Sequence, residues 1–144
     1  MRVPMKVDYG VRALVELAAH YGEGWVNTSE IAYKQGIPEA YLEQLLTTLQ
    51  KVGFVESRRG PQGGHALAMD PSAVNLSMVM TTLGNTSLLE CLTDPSDCIF
   101  ADSCAQQEVW KSVEDSIHSV LGNITLTHLA QRQSYLSDQG TYQI

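Results

Sequence analysis

Basic residues are scarce in this chain. Nine Lys and Arg stand against sixteen Asp and Glu in 144 residues, a formal net charge of −7. A protein with this balance does not coat nucleic acid nonspecifically. No apolar run reaches the roughly 18 residues that a membrane-spanning helix needs. Residues 1–10 carry no apolar stretch of the signal-peptide kind, so a cytoplasmic protein without a membrane partner is expected. Also missing are a phosphate-cradling Gly loop, an H-E-x-x-H pair and a G-x-S-x-G elbow. The four histidines, His20, His65, His118 and His128, are scattered and read as surface or packing residues. These absences argue against an enzyme and against a small-molecule substrate. There is no internal repeat, no C-x2–4-C zinc knuckle and no C-x-x-C redox pair.

What is present is unevenly spread. Residues 1–70 hold seven Lys and Arg against eight acids, whereas residues 71–144 hold only Lys111 and Arg132 against eight. A DNA-binding surface must therefore be local and in the first half, with a dimer supplying further phosphate contacts. All three cysteines fall within residues 91–104, which in a cytosolic chain favours metal binding or redox chemistry over structural disulfides.

Helical periodicity covers residues 8–21, with Tyr9, Ala13, Leu14, Leu17, Ala18 and Tyr21 on one face and Asp8 at the start. A short helix over 28–35 is capped by Asn27 or Thr28 and closed by Gly36. Pro38 then begins a third helix at its first position, with Leu42, Leu45, Leu46, Leu49 and Val52 as the apolar stripe and Gly53 at its end. This is a helix-turn-helix pattern. Strands over 54–57 and 65–68 flank the turn Arg58-Arg59-Gly60-Pro61-Gln62-Gly63-Gly64 and form a β-wing. A helix over 75–83 follows, then a loop-like stretch over 84–104, long enough to suggest a function. A long helix over about 105–121 carries Trp110, Val113, Ile117, Val120 and Ile124 at steps of three and four, a seam suited to a partner helix. Thr125 caps a last helix reaching about Tyr135, and the tail from Ser137 reads as polar and frayed. The expected fold is mostly α with a small β-wing. It comprises a winged helix-turn-helix over 1–83, a cysteine loop over 84–104, a dimerisation helix and C-terminal helix over 105–136, and a polar tail over 137–144.

The third helix would lie in the major groove. Gln44 suits a bidentate contact to adenine and Ala40 a thymine methyl, while Tyr41 and Thr47 are within reach of base or backbone. Glu43 repels phosphate and accepts only from cytosine, so it would disfavour wrong sites; alternatively Glu39 and Glu43 form a solvated face. Arg59, beside Gly60 at the wing tip, fits a narrow minor groove, and Arg58 fits phosphate or an acidic partner.

The cysteines are spaced Cys91-x6-Cys98-x5-Cys104. Such spacing lets a loop wrap an object larger than one ion, such as an iron–sulfur cluster, [2Fe–2S] or [4Fe–4S]. Three thiolates leave one ligand open among Asp8, Asp94, Asp97, Gln107, His118, His128 or a subunit-bridging group. A three-thiolate zinc site, a redox switch or three packed thiols remain alternatives.

Taken together, Tyr41-Leu42-Glu43-Gln44-Leu45-Leu46, the wing Arg59-Gly60-Pro61-x-Gly63-Gly64, the three cysteines and Asn123-Ile124-Thr125-Leu126 resemble the Rrf2 family of bacterial regulators over nearly the whole chain. The resemblance implies a homodimer on palindromic double-stranded DNA, with the last helix crossing to the partner. It also implies an iron–sulfur cluster on Cys91, Cys98 and Cys104 that sets operator affinity in response to redox, nitric oxide or iron status. Two departures bear on the ligands. Family members often have five residues between the first two cysteines, and this chain has six. Some take a histidine three residues after the third cysteine, where this chain has Gln107; others use a carboxylate at the position of Asp8. Asp8 is thus the expected fourth ligand, against a plain helix-start carboxylate. The rival functions are a cluster-free thiol-switch regulator and a metal- or cluster-binding interaction protein.

Overall fold

A computed structural model describes residues 2–84, 87–94, 98–100 and 103–142. The first helix, α1 (Met5–Ala19), begins earlier than the apolar period suggests. The Pro4 carbonyl accepts from the amides of Val7 and Asp8, both at 3.0 Å, so the turn opens as soon as proline's fixed φ allows. Asp8 lies in the first turn, and Tyr21 lies beyond the helix, exposed.

The second helix, α2 (Thr28–Gln35), has Asn27 as its cap: the side-chain oxygen accepts from the Glu30 amide at 2.8 Å. It ends at Gly36 in the left-handed region, whose amide returns to the Ala32 carbonyl. The third helix, α3 (Glu39–Lys51), buries Leu42, Leu45, Leu46 and Leu49. Pro38 precedes it as the cap rather than occupying its first position; at ψ 127° it is still extended and lends its carbonyl to the Leu42 amide. Strands β1 (Val55–Arg58) and β2 (Gly64–Leu67) pair antiparallel, Val55 opposite Leu67 and Arg58 opposite Gly64. They are shifted by one residue from the expected runs, because the ladder runs on to Arg58 opposite Gly64; Phe54 is buried, and its carbonyl takes the Ala68 amide.

A 3-10 turn over Pro71–Ala73 leads to α4 (Leu76–Leu83), capped by Asn75. The stretch expected to be loop-like holds one helical turn, α5 (Glu90–Thr93). Then come α6 (Ala105–Gly122) and α7 (Leu126–Tyr142). Thr125 and His128 cap α7 reciprocally: each side chain takes the other's amide at 3.2 Å. The expected frayed tail is instead helical to Tyr142, since no Gly or Pro stop signal lies at residue 135 and Gln, Arg, Ser and Leu continue the turn.

Nearly all of the core comes from residues 7–83, with Leu126 the one buried apolar contribution from beyond them among the described residues. A charged knot ties α1 to α2 at its edge. Buried Glu16 accepts from Gln35 at 2.9 Å and meets Lys34 at 3.3 Å, while Lys34 also pairs with Glu30 at 2.9 Å. The pairing with Lys34 lowers the Glu30 pKa, and the two carboxylates raise that of Lys34. Among the described residues, no helix is long and apolar enough to cross a membrane.

Candidate nucleic-acid interface and cysteine loop

Because the leucine stripe of α3 is buried, its opposite face must point outward. Glu39, Ala40, Glu43, Gln44 and Thr47 are all exposed. Three residues of α3 carry restraints. The Thr47 hydroxyl donates to the Glu43 carbonyl at 2.9 Å, which leaves its methyl and oxygen lone pair outward. Glu39 is no free solvated carboxylate: it accepts from Ser29 of α2 at 2.7 Å and locks the two helices of the motif. Tyr41 is half-buried, packing edge-to-face on Tyr9 with centroids 5.6 Å apart, so its ring braces α3 on α1 before any contact with DNA.

The wing follows α3, and its first strand contacts that helix. Arg58 ends β1, Arg59 follows it, and both are exposed. Gly60 has φ +106°, and its carbonyl takes the Gly63 amide at 3.0 Å. At Gly63 a Cβ would sit 2.0 Å from the Arg58 carbonyl oxygen, so the tip closes only around glycine. The arginines are thereby carried on a narrow, tightly closed loop.

Sequence reasoning missed Lys6. It lines one recess with Tyr41, Gln44, Leu45 and Thr48, so α1 adds a cation to the rim of the α3 face. The available signal was the clustering of cations in residues 1–70, but placing Lys6 requires knowing how α1 crosses α3.

The long helix presents an inverted arrangement. Polar residues of α6 face their own chain: His118 shares a hydrogen bond with Ser77 of α4 at 2.8 Å, and Glu114 accepts from the Leu88 amide. The apolar stripe faces away. Trp110, Val113 and Val120 are exposed, Ile117 is half-buried, and no residue of α6 is fully buried. Val113, Ile117, Val120 and Leu121 line an open apolar trough. Ile124, expected on this seam, lies past the end of α6, and its carbonyl takes the Leu76 amide at 3.0 Å. Leu126, Leu129 and Ala130 of α7 pack into their own chain's core, whereas residues 131–140 are exposed. Any reach of α7 toward a partner therefore starts after its first turns.

Cys91 lies on α5, Cys98 in the loop and Cys104 at the cap of α6. All three are free thiols and half-buried. Of the other candidates, Asp97 lies outside the described residues. Asp8 is exposed and paired with Arg12 at 3.1 Å, and Arg12 also donates to the Gln35 carbonyl at the end of α2. His128 caps α7 and His118 binds Ser77. Among the described residues, no three His, Cys, Asp or Glu side chains converge as a metal site. The donor chemistry nonetheless suits an iron–sulfur cluster, with three soft ligands on one short stretch and none consumed by a disulfide.

Comparison with known proteins follows the same lines. Residues 3–132 match the Rrf2 family, described as iron-dependent transcriptional regulators. The HTH-type transcriptional regulator IscR of Yersinia enterocolitica is 36% identical over 136 residues, covering 94% of this chain and 83% of that protein. Among solved structures, CymR, the global cysteine regulator of B. subtilis, superposes with a TM-score of 0.77 at 33% identity, covering 92% of this chain and 98% of its own. T. potens IscR superposes with a TM-score of 0.76 at 36% identity, covering 92% and 88%. The outward face of α3, the glycine-tipped wing and the match over most of the chain agree, and the chain belongs to the Rrf2 family of transcriptional regulators.

Proposed function

We propose that this regulator binds a palindromic operator as a homodimer and senses its signal through an iron–sulfur cluster on Cys91, Cys98 and Cys104. Residues 1–83 form the reader, 84–104 the sensing loop, 105–136 the dimer arm and 137–144 the polar tail. The observation that carries the reading is the pairing of two outward faces. The polar face of α3 has Lys6 at its rim and is followed in the chain by a wing with exposed Arg58 and Arg59, and the apolar stripe of α6 is turned away from its own core. A soluble helix does not normally turn its apolar side to water, and a second copy of the same stripe satisfies it through coiled-coil packing. Two-fold symmetry then sets two α3 helices about one turn of DNA apart. Gln44 and Ala40 read base edges, Glu43 disfavours wrong sites, and Arg59 with Gly60 enters the minor groove.

When bound, an iron–sulfur cluster supplies a centre that reacts with oxidants and nitric oxide and depends on iron supply. The chain's own part is to hold it between α5 and α6 and to transmit loop order to the dimer helix. Asp8 is the proposed fourth ligand, from either subunit, and its recruitment requires the pair with Arg12 to open. Arg12 also holds the end of α2, so the same exchange touches the helix-turn-helix. The three free thiols, not gathered into a metal site here, favour one second reading: a cluster-free switch in which two thiols oxidise to a disulfide.

Anaerobic purification with visible absorption, iron and acid-labile sulfide assays separates the two. A brown protein with sulfide matching iron, and loss of both in Cys98→Ala, is the expected result. A colourless, iron-free protein after reconstitution, whose DNA binding is lost with peroxide and restored by a thiol, would replace the cluster with the thiol switch.

A further inference from the structure

The wing is a two-stranded hairpin, and such a hairpin is marginal in isolation, so its direction depends on what holds its base. Beyond the core contacts of Phe54, Val55 and Leu67, one residue ties the hairpin to the segment before α2. The His65 amide donates to the Val26 carbonyl at 2.7 Å, and the Val26 amide returns to the His65 carbonyl at 2.9 Å. The approach is so close that a Cβ on neighbouring Gly64, at φ +150°, would sit 2.5 Å from the Val26 carbonyl oxygen. The imidazole continues the connection with both of its nitrogens. Nε2 shares a hydrogen bond with the Thr28 hydroxyl at 2.9 Å, and Nδ1 shares one with the Ser57 hydroxyl at 2.7 Å. Thr28 opens α2, the first helix of the DNA-binding motif, and Ser57 is the cross-strand partner of His65, one residue before Arg58.

We propose that His65 is a positioning residue for DNA binding, a clasp between α2 and the wing that holds Arg58 and Arg59 in fixed relation to α3. The inference rests on the reading that the wing contacts DNA. A rigid ring with a nitrogen on each side spans two hydroxyls on separate elements, and each hydroxyl both donates and accepts, so either neutral tautomer is satisfied. Burial favours that neutral form, against the pull of the Glu43 carboxylate on α3. Without the ring contacts, the two backbone bonds to Val26 still seat β2. Loss of the clasp therefore loosens the direction of the wing without unfolding it.

The test uses the full chain and a palindromic duplex selected from random sequence by the native protein. His65→Phe keeps a ring and removes both hydrogen bonds. Its Kd should rise by about tenfold, within the range of couplings between sites, at unchanged far-ultraviolet dichroism. Arg59→Ala should cost less in the His65→Phe background than in the native one, a coupling that a purely stabilising residue would not produce. Thr28→Val with Ser57→Ala strips the partners while keeping the imidazole, and should reproduce the loss even if His65→Phe folds poorly. An unchanged Kd, or an equal cost of Arg59→Ala in both backgrounds, would overturn the clasp. If Arg59→Ala is silent in the native chain, the wing does not touch DNA, and the underlying reading fails with the inference.

Discussion

Residues 1–83 and helix α6 are built on opposite plans. The first part turns its leucines inward: Leu14, Leu42, Leu46 and Leu49 are fully buried in the core. In the second part, α6 turns polar Glu114 and His118 toward its own chain and leaves Trp110, Val113 and Val120 outside. An element whose apolar face has no partner within its own fold is completed by something else. Residues 7–83 thus bury their leucines within one chain, whereas the apolar stripe of α6 is covered only in the proposed dimer.

That contrast can be broken most directly at Val120. Val120→Asp should dissociate the dimer in sedimentation analysis and abolish operator binding, because two unpaired carboxylates facing one interface cost several kcal/mol each. The isolated chain should keep its helical dichroism. A dimer that survives the substitution would show that α6 is not the seam. The matching change in the reader half is Leu46→Ala, which leaves a cavity in a closed core and should lower unfolding stability by about 2–5 kcal/mol in urea titrations. Equal loss from both substitutions in the monomer would erase the distinction between the halves.

Smaller effects sharpen the boundary of the DNA face. Lys6→Ala should weaken binding to all duplexes alike and reduce the salt slope by about one per subunit. A sequence-selective loss would instead mean that Lys6 reaches base edges. The smallest expected effect is on pH dependence. Burial sets the His65 pKa below its ordinary 6.5, with Glu43 opposing. The folded state therefore binds this proton less readily than the unfolded chain. The contribution of His65 is fully present above that ordinary value and declines as pH falls through it toward the lower folded value. Urea midpoints should fall between about pH 7.5 and about pH 5.5, and less so in His65→Phe. The same slope in both proteins would assign the titration to another group.

Much of the reader was legible because its signals are local. Asn27 before α2, Gly36 after it and the glycines of the wing each act within a few residues, so helix-turn-helix and hairpin follow from nearest neighbours. The apolar seam of α6 was legible for the same reason, as a period of three and four. Other features depend on contacts across the chain. Tyr41 was expected within reach of base or backbone, but its edge-to-face packing on Tyr9 of α1 was not legible. Ile124 continues the numerical period of α6, yet the turn at Asn123 carries it to Leu76 of α4. Glu39 reads as a solvated charge until Ser29 is seen beside it.

The histidines mark the same limit. Scattered in sequence, they carried no pattern, and His65 gained its place only through Thr28, 37 residues away, and Ser57 across the strand. Caps, turns and periodicity belong to short stretches of chain, so the amino-acid order was sufficient to set the helix-turn-helix, the wing, the clustering of the thiols and the existence of an apolar stripe. Which side of α6 faces outward, which cation joins α3 and which ring clasps the wing were chosen by packing, because each depends on surfaces that meet only when distant segments close around one core.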